Sequence, residues 1–213
     1  FKGAFLDRTL FTNVALFKSK YKNQQVTVQV PSLAGGIASF VDNAGRGDIW
    51  GAELELRAVP SPNFSMNAAV GYTNADYKEF LTFITGGTTP VDVANAREFQ
   101  NTPKFTASVS ATASADLLGG SISFTPAVSL RSDAYMFEIP TPALDPDGYF
   151  LVDASAAWTS PDDTFKLSVN LRNLTNERYR VGGYNFPGAL FGNSIIGYYG
   201  PPRTATFNIE YRF

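Results

Sequence analysis

Thr204-Ala205-Thr206-Phe207-Asn208-Ile209-Glu210-Tyr211-Arg212-Phe213 closes the sequence with a strict apolar–polar alternation. Ala205, Phe207, Ile209, Tyr211 and Phe213 alternate with Thr204, Thr206, Asn208, Glu210 and Arg212. Successive side chains of an extended strand point to opposite faces, so this segment has one apolar, aromatic face and one polar face.

Working back from that end, the same two-residue period recurs. Phe165, Leu167, Val169 and Leu171 oppose Lys166, Ser168, Asn170 and Arg172. Phe150, Val152, Ala154, Ala156 and Trp158 oppose Asp153, Ser155 and Ala157, and Ile122, Phe124, Pro126, Val128 and Leu130 oppose Ser123, Thr125, Ala127, Ser129 and Arg131. Earlier, Phe105–Ala113, Phe64–Tyr72 and Ala52–Ala58 repeat the pattern, the last with Glu53, Glu55 and Arg57 on its polar side. The segment Leu10–Val26 is less regular: Phe11, Ala15, Phe17 and Tyr21 share one face while Val14 and Leu16 lie on the other. The pattern predicts about eight strands, each near the ten-residue length that crosses a bilayer. Pro126 removes a ladder donor and predicts a bulge.

Connections alternate in length. Short turns fall at residues 6–8, 59–63, 117–120 and 160–163, and long connections at about 30–46, 79–102, 134–148 and 178–202. Short turns on one side and long loops on the other is the layout of an outer-membrane barrel, its long loops extracellular. A soluble sandwich or lipocalin-like barrel shows the same alternation with the faces reversed. The loop asymmetry and the aromatic end favour the membrane, which puts Val128 and Phe124 against lipid and Ser129 and Thr125 toward a lumen.

Composition agrees. The 213 residues are 44% hydrophobic and 14% aromatic but only 17% charged, below the roughly 25% of soluble domains. No run of about 18 apolar residues exists, which excludes a transmembrane helix. There is no Cys and no His, so histidine-based catalysis is unavailable and nitrogen-ligated metal sites are disfavoured. Neither an enzyme nor a cofactor is expected. A net charge of −2 leaves no basic patch for nucleic acid.

Four stretches resemble the barrel of TonB-dependent outer-membrane receptors: 5–17 with 21–26, Gly51-Ala52-Glu53-Leu54-Glu55-Leu56, Asn170-Leu171-Arg172-Asn173-Leu174-Thr175-Asn176 followed by Glu177-Arg178-Tyr179, and Gly200-Pro201-Pro202-Arg203 through Phe213. The resemblance implies an all-β, antiparallel transmembrane barrel of about 22 strands, of which residues 1–213 are the C-terminal portion. It also implies an N-terminal plug, not contained in these residues, that contacts the TonB complex, and uptake of a ferric siderophore, cobalamin, another metal complex or a saccharide. The polar faces of 105–115 and 121–131, mostly Ser, Thr and Ala, agree with this. They would leave voids in a closed eight-strand barrel, whose interior must be filled by side chains. A passive porin or a self-contained small barrel is the alternative.

Three groups of residues are candidate sites. Tyr184, Phe186, Phe191, Tyr198 and Tyr199 lie on a glycine-rich loop and could grip a ligand, or belong to an aromatic girdle or pack their loop. Glu53, Glu55, Arg57, Arg131, Asp133 and Arg172 line the polar face, for substrate, for plug or for a salt-bridge network along the wall. Phe207, Ile209, Tyr211 and Phe213 resemble the terminal signal read by the barrel assembly machinery. Asp145-Pro146-Asp147-Gly148 reads as a turn rather than a calcium loop, because the remaining ligands are missing.

Overall fold

The computed structural model describes residues 1–31, 37–43, 45–82, 89–186, 188 and 192–213, with backbone only for 26–31 and 37–43. In chain order its strands are β1 (Lys2–Phe5), β2 (Leu10–Lys22), β3 (Gln25–Pro31), β4 (Ile37–Asn43), β5 (Arg46–Ser61), β6 (Phe64–Glu79), β7 (Leu81–Thr82), β8 (Val91–Asp92), β9 (Phe105–Leu117), β10 (Gly120–Arg131), β11 (Tyr149–Thr159), β12 (Phe165–Arg172), β13 (Arg180–Phe186), β14 (Ser194–Tyr199) and β15 (Thr204–Tyr211). Nine of them form one antiparallel meander, β1-β2-β5-β6-β9-β10-β11-β12-β15. The eight expected strands are all present, and the short β1 precedes them. β1 and β15 are not paired with each other, so the sheet is open.

Register converts the alternation of each strand into two continuous surfaces. Leu56, Ala68, Val109, Val128 and Val152 stand in one cross-strand row. The neighbouring row is Arg57, Asn67, Ser110, Ala127 and Asp153. A concavity of about 880 Å³ lies on the polar side and reaches from Asn13 and Arg57 across Ser110 to Asp153. The sheet therefore curls toward its polar face. On the convex side, apolar side chains such as Val109 (47% exposed) and Phe124 (51% exposed) have no protein cover. A contiguous bare apolar surface of this kind suits lipid, not water.

The irregular β2 is settled by its partner. Val14 and Leu16 lie opposite Leu54 and Ala52 on the convex face, whereas Phe11, Ala15 and Phe17 lie opposite Arg57, Glu53 and Gly51 on the concave one. Phe17 covers Gly51 so closely that a Cβ there would sit 2.5 Å from the ring. The inner-face aromatic is thus allowed by a glycine on the next strand.

Pro126 is not a bulge. Pairing to β11 runs unbroken through Pro126↔Ala154, and toward β9 it lapses at Thr125 and Pro126 but resumes in the same register. The missing N–H faces β9, and the hydroxyls of Thr112 and Thr125, 2.9 Å apart, join the strands beside the gap. The remaining ladder is long enough to hold register without that one donor.

At the short-turn end, Leu118 and Gly119 have φ of 53° and 74° and form a two-residue hairpin turn with both central residues left-handed. β5 continues to Ser61, opposite Phe64, so the second turn is tighter than residues 59–63. At the other end the long connections carry structure of their own. The first holds the β3–β4 hairpin, beginning at Gln25 rather than Val30, the second β7–β8, and the fourth β13–β14. The buried apolar side chains among the described residues belong to this end: Tyr77, Phe80, Phe99, Ala134, Met136 and Leu144. Phe99 stacks on Tyr77 at 4.2 Å and lies against Gly47 of β5, tying the second connection to the wall.

Candidate ligand-contact surfaces

Two surfaces carry the candidate residues. The first is the β13–β14 hairpin, whose faces differ for a reason visible in its glycines. Gly183 pairs with Gly197, and beneath them lies Leu144 of the 134–148 connection, 1% exposed. A Cβ on Gly183 would come within 2.7 Å of the Leu144 Cδ2. The hairpin can seat there only because neither residue of that pair carries a side chain.

Its other face carries Tyr184, opposite Ile196, with Phe186 and Tyr198 beside it. The Tyr184 and Tyr198 rings meet edge-on at 5.8 Å, and Phe186 lies 5.7 Å from Tyr184. Tyr184 and Tyr198 remain 52% and 49% exposed, so this is an exposed aromatic surface and not a packed core. Tyr199 is set apart from it: the Arg178 guanidinium lies over its ring at 4.3 Å. Phe191 lies outside the described residues.

The hairpin is fixed to its neighbours by polar contacts. Arg180 donates to the Ala143 carbonyl at 2.6 Å and pairs with Asp147 at 3.0 Å. The Asp145 carboxylate accepts the N–H groups of Met136 and Thr141, and that of Asp147 pairs with Arg180, so both are engaged. The turn itself falls earlier than the expected 145–148: the Leu144 and Asp145 N–H groups donate to the Thr141 carbonyl. The second and third connections join where Glu98 N–H donates to the Glu138 carbonyl and Asn101 N–H to that of Tyr135.

Asn173, 4% exposed, is the residue that sequence reasoning quoted without giving it a role. Its amide donates to the Glu177 and Pro201 carbonyls, and its Oδ1 accepts the Glu177 N–H. Its backbone N–H reaches the Asp153 carboxylate. Asn176 accepts from the Arg203 N–H at 3.1 Å. Both asparagines have positive φ, 50° and 55°, a conformation their short amides tolerate. The asparagine spacing in 170–176 therefore closes the loop between β12 and β15. Tyr179, tilted against Tyr149 with ring centroids 4.4 Å apart and beside Gly200, has its hydroxyl pKa raised by burial.

The second surface is the concave wall. Glu55 accepts a hydrogen bond from the Asn13 amide at 3.0 Å. Among the described residues no ion pair joins Glu53, Glu55, Arg57, Arg131, Asp133 and Arg172, so the expected salt-bridge network is not formed. Register gives the reason. Glu53 and Arg131 share a row, but Gly71 and Thr106 stand between them. Three strand spacings amount to about 15 Å, beyond direct contact. Arg131 keeps Nε and Nη2 buried with no hydrogen-bond partner. Arg172 is exposed at the end of β12, and Asp133 lies just past β10 beside Gly148. Phe207, Ile209, Tyr211 and Phe213 lie along or just past the open β15 edge, with Tyr211 against Phe165 at 5.0 Å. No cluster of potential metal ligands occurs among the described residues.

Comparison with known proteins agrees with this geometry. Residues 1–174 match the family described as TonB dependent receptor-like, beta-barrel. The ferric-pyoverdine 358 receptor of Pseudomonas putida is 25% identical over 218 residues, covering all of this chain and 23% of that protein. The siderophore receptor PiuA of Acinetobacter baumannii superposes with a TM-score of 0.73 at 20% identity, over 99% of this chain and 27% of its own. The ferric yersiniabactin uptake receptor FyuA of Yersinia pestis gives 0.68 at 22% identity, over 94% and 27%. The chain thus spans about a quarter of the length of the relatives it matches. With the open meander, the curl toward the polar face and the family match over most of its length, the chain belongs to the TonB-dependent receptor β-barrel family.

Proposed function

We propose that this chain forms the C-terminal part of the barrel wall of a bacterial outer-membrane receptor that actively takes up a scarce ligand, a ferric siderophore first among the candidates. The observation that carries the reading is the concave face. Its charges are separated by small residues rather than paired along the wall, and that face borders an open trough of about 880 Å³. Side chains this small leave the concave face unfilled, so such a wall suits a separate body in the lumen. That body is a plug domain elsewhere in the protein, and Arg131, Glu53 and Arg57 are its contacts or those of the passing ligand. The siderophore class is supported by the names of the relatives. The long connections face the exterior and offer Tyr184, Phe186 and Tyr198 to the ligand. The plug engages the TonB complex, and the aromatic end at Phe207–Phe213 is read by the assembly machinery.

The test is radio-iron uptake from ferric siderophores by cells producing the full-length protein, with and without TonB. Saturable uptake that disappears without TonB is expected. Uptake that rises linearly with concentration and ignores TonB would mean a passive channel. Tyr184→Ala with Tyr198→Ala should weaken ligand binding by roughly tenfold to a hundredfold, as loss of exposed aromatic anchors does. Unchanged binding would remove the hairpin from the site.

A further inference from the structure

On the convex face of β2 the uncharged series Leu10, Thr12, Val14 and Leu16 gives way to Lys18, Lys20 and Lys22, all exposed. The change falls at the level of an aromatic boundary. Lys18 lies opposite Trp50, whose ring meets Tyr72 at 5.3 Å. Below that boundary, Phe64 to Tyr72 of β6 covers eight residue steps, about 27 Å along the strand. At a strand tilt of roughly 35–45° this rises about 19–22 Å, most of the roughly 25 Å apolar band of outer-membrane barrels. The three ammonium groups are therefore at headgroup height on the lipid side of the wall, at the long-loop end.

Nearby carboxylates are mostly engaged. Glu79 pairs with Arg46 at 3.2 Å, which itself lies opposite Lys22. Asp76 accepts from the Asn74 amide at 2.8 Å and lies 3.8 Å from Lys78. Asp48 stands opposite Lys20 without forming an ion pair. Among the described residues no carboxylate pairs with Lys18, Lys20 or Lys22. Three cations against one unengaged carboxylate leave net positive charge directed outward.

We propose that Lys18, Lys20 and Lys22 bind the phosphate groups of outer-leaflet lipid headgroups, with Trp50 and Tyr72 against the first carbons of the acyl chains. The inference rests on the orientation given above, long loops outward and apolar face to lipid. Charge complementarity selects this occupant: an anionic headgroup satisfies the lysines and the acyl chain the aromatic pair.

The full-length protein is reconstituted in phosphatidylcholine vesicles containing either diphosphorylated lipid A or its dephosphorylated form, extracted gently, and its retained lipid measured by native mass spectrometry. The wild type should retain the phosphorylated form preferentially. Each lysine near an anionic surface strengthens binding by about fivefold, so Lys18→Gln with Lys20→Gln and Lys22→Gln should reduce retention by roughly a hundredfold. The corresponding triple arginine variant, which keeps the charge, should restore it. Equal retention by wild type and the glutamine variant, or equal retention of both lipids, overturns the proposal. Displacement of the lipid by an equal concentration of inorganic phosphate overturns it too, since the site would then hold free phosphate. Orientation is read separately from Asn193→Cys, which an impermeant maleimide should label on intact cells. A failure there sinks the orientation, whereas labelling without lipid preference sinks only the lysine site.

Discussion

Placing an arginine at successive positions of β9 tests the two faces of the wall most directly. Val109 sits in the convex row with Ala68, midway between Phe64 and Tyr72 on the paired strand β6, so it lies near the centre of the apolar band. It is 47% exposed and flanked by Ala68 and Val128, neither of which can pair with a charge. Arginine at the midplane of a barrel's lipid face costs roughly 2–4 kcal/mol, falling to about 0–1 kcal/mol near the interfaces. Val109→Arg should therefore lower the folding equilibrium by about thirtyfold to several hundredfold. Ser110, one residue on, borders the concave trough and has water or a polar partner within reach. Ser110→Arg should cost far less. Phe105→Arg, on the same convex face but beside Tyr72 at the aromatic boundary, should fall near the interfacial value. The assay is urea-dependent unfolding of the full-length protein in phosphatidylcholine vesicles. Equal losses for Val109→Arg and Ser110→Arg would refute the assignment of faces. A flat profile from Phe105 to Val109 would refute the placement of the band.

Leu144→Ala empties the seat under Gly183 and Gly197, and burial at 1% exposure predicts a loss of about 2–5 kcal/mol in the local stability of the loop cluster. Hydrogen exchange should quicken in residues 134–148 and 180–199 together, and an effect confined to one of them would show that the two loops are not one unit. Asp162 has a carboxyl pKa lowered to about 2 by hydrogen bonds from the Ser160 hydroxyl, first, and then from Thr164. A depressed folded-state value stabilises the turn above the ordinary carboxylate range near 4, and that contribution is lost as pH falls from about 4 to 2. Amide protection in residues 160–165, taken relative to the intrinsic exchange rate at each pH, should fall over that window and become insensitive to it in Asp162→Asn.

Most of the wall was legible because the two-residue period is a local property. Phe207, Ile209 and Tyr211 alternate with polar neighbours whatever lies across the sheet, and the same period separates an apolar from a polar face at Val128 and Ser129, the unequal connections and the aromatic end then giving which face is inward. The turn at Leu118-Gly119 was equally local, set by two left-handed residues. The irregular β2 was not legible. Phe11 and Phe17 point inward because Arg57 and Gly51 stand opposite them, and Gly51 admits a ring that alternation alone would send to lipid. Pro126 misled for a related reason. A single absent donor predicts a bulge in isolation, but the ladders on both sides of it hold the register.

The loop end depended most on tertiary structure. Tyr184 and Tyr198 were named as aromatics on a glycine-rich loop, but nothing near them in sequence tells which face they take. Leu144 decides that by occupying the side that Gly183 and Gly197 leave bare, from about forty residues away. Asn173 likewise joins Asp153, Glu177 and Pro201, groups brought together only when β11, β12 and the approach to β15 are side by side. Charge behaved the same way: Glu53 and Arg131 are complementary in composition, yet the register spaces them about three strands apart, and no ion pair forms. The course of the strands, the residues that share a face within each and the places where the chain turns follow from local sequence, because each depends on neighbours a few residues away. Curvature, the direction of β2, the seating of the aromatic hairpin and the pairing of charges were left to the tertiary structure, since each depends on distances between residues that only the assembled sheet brings together.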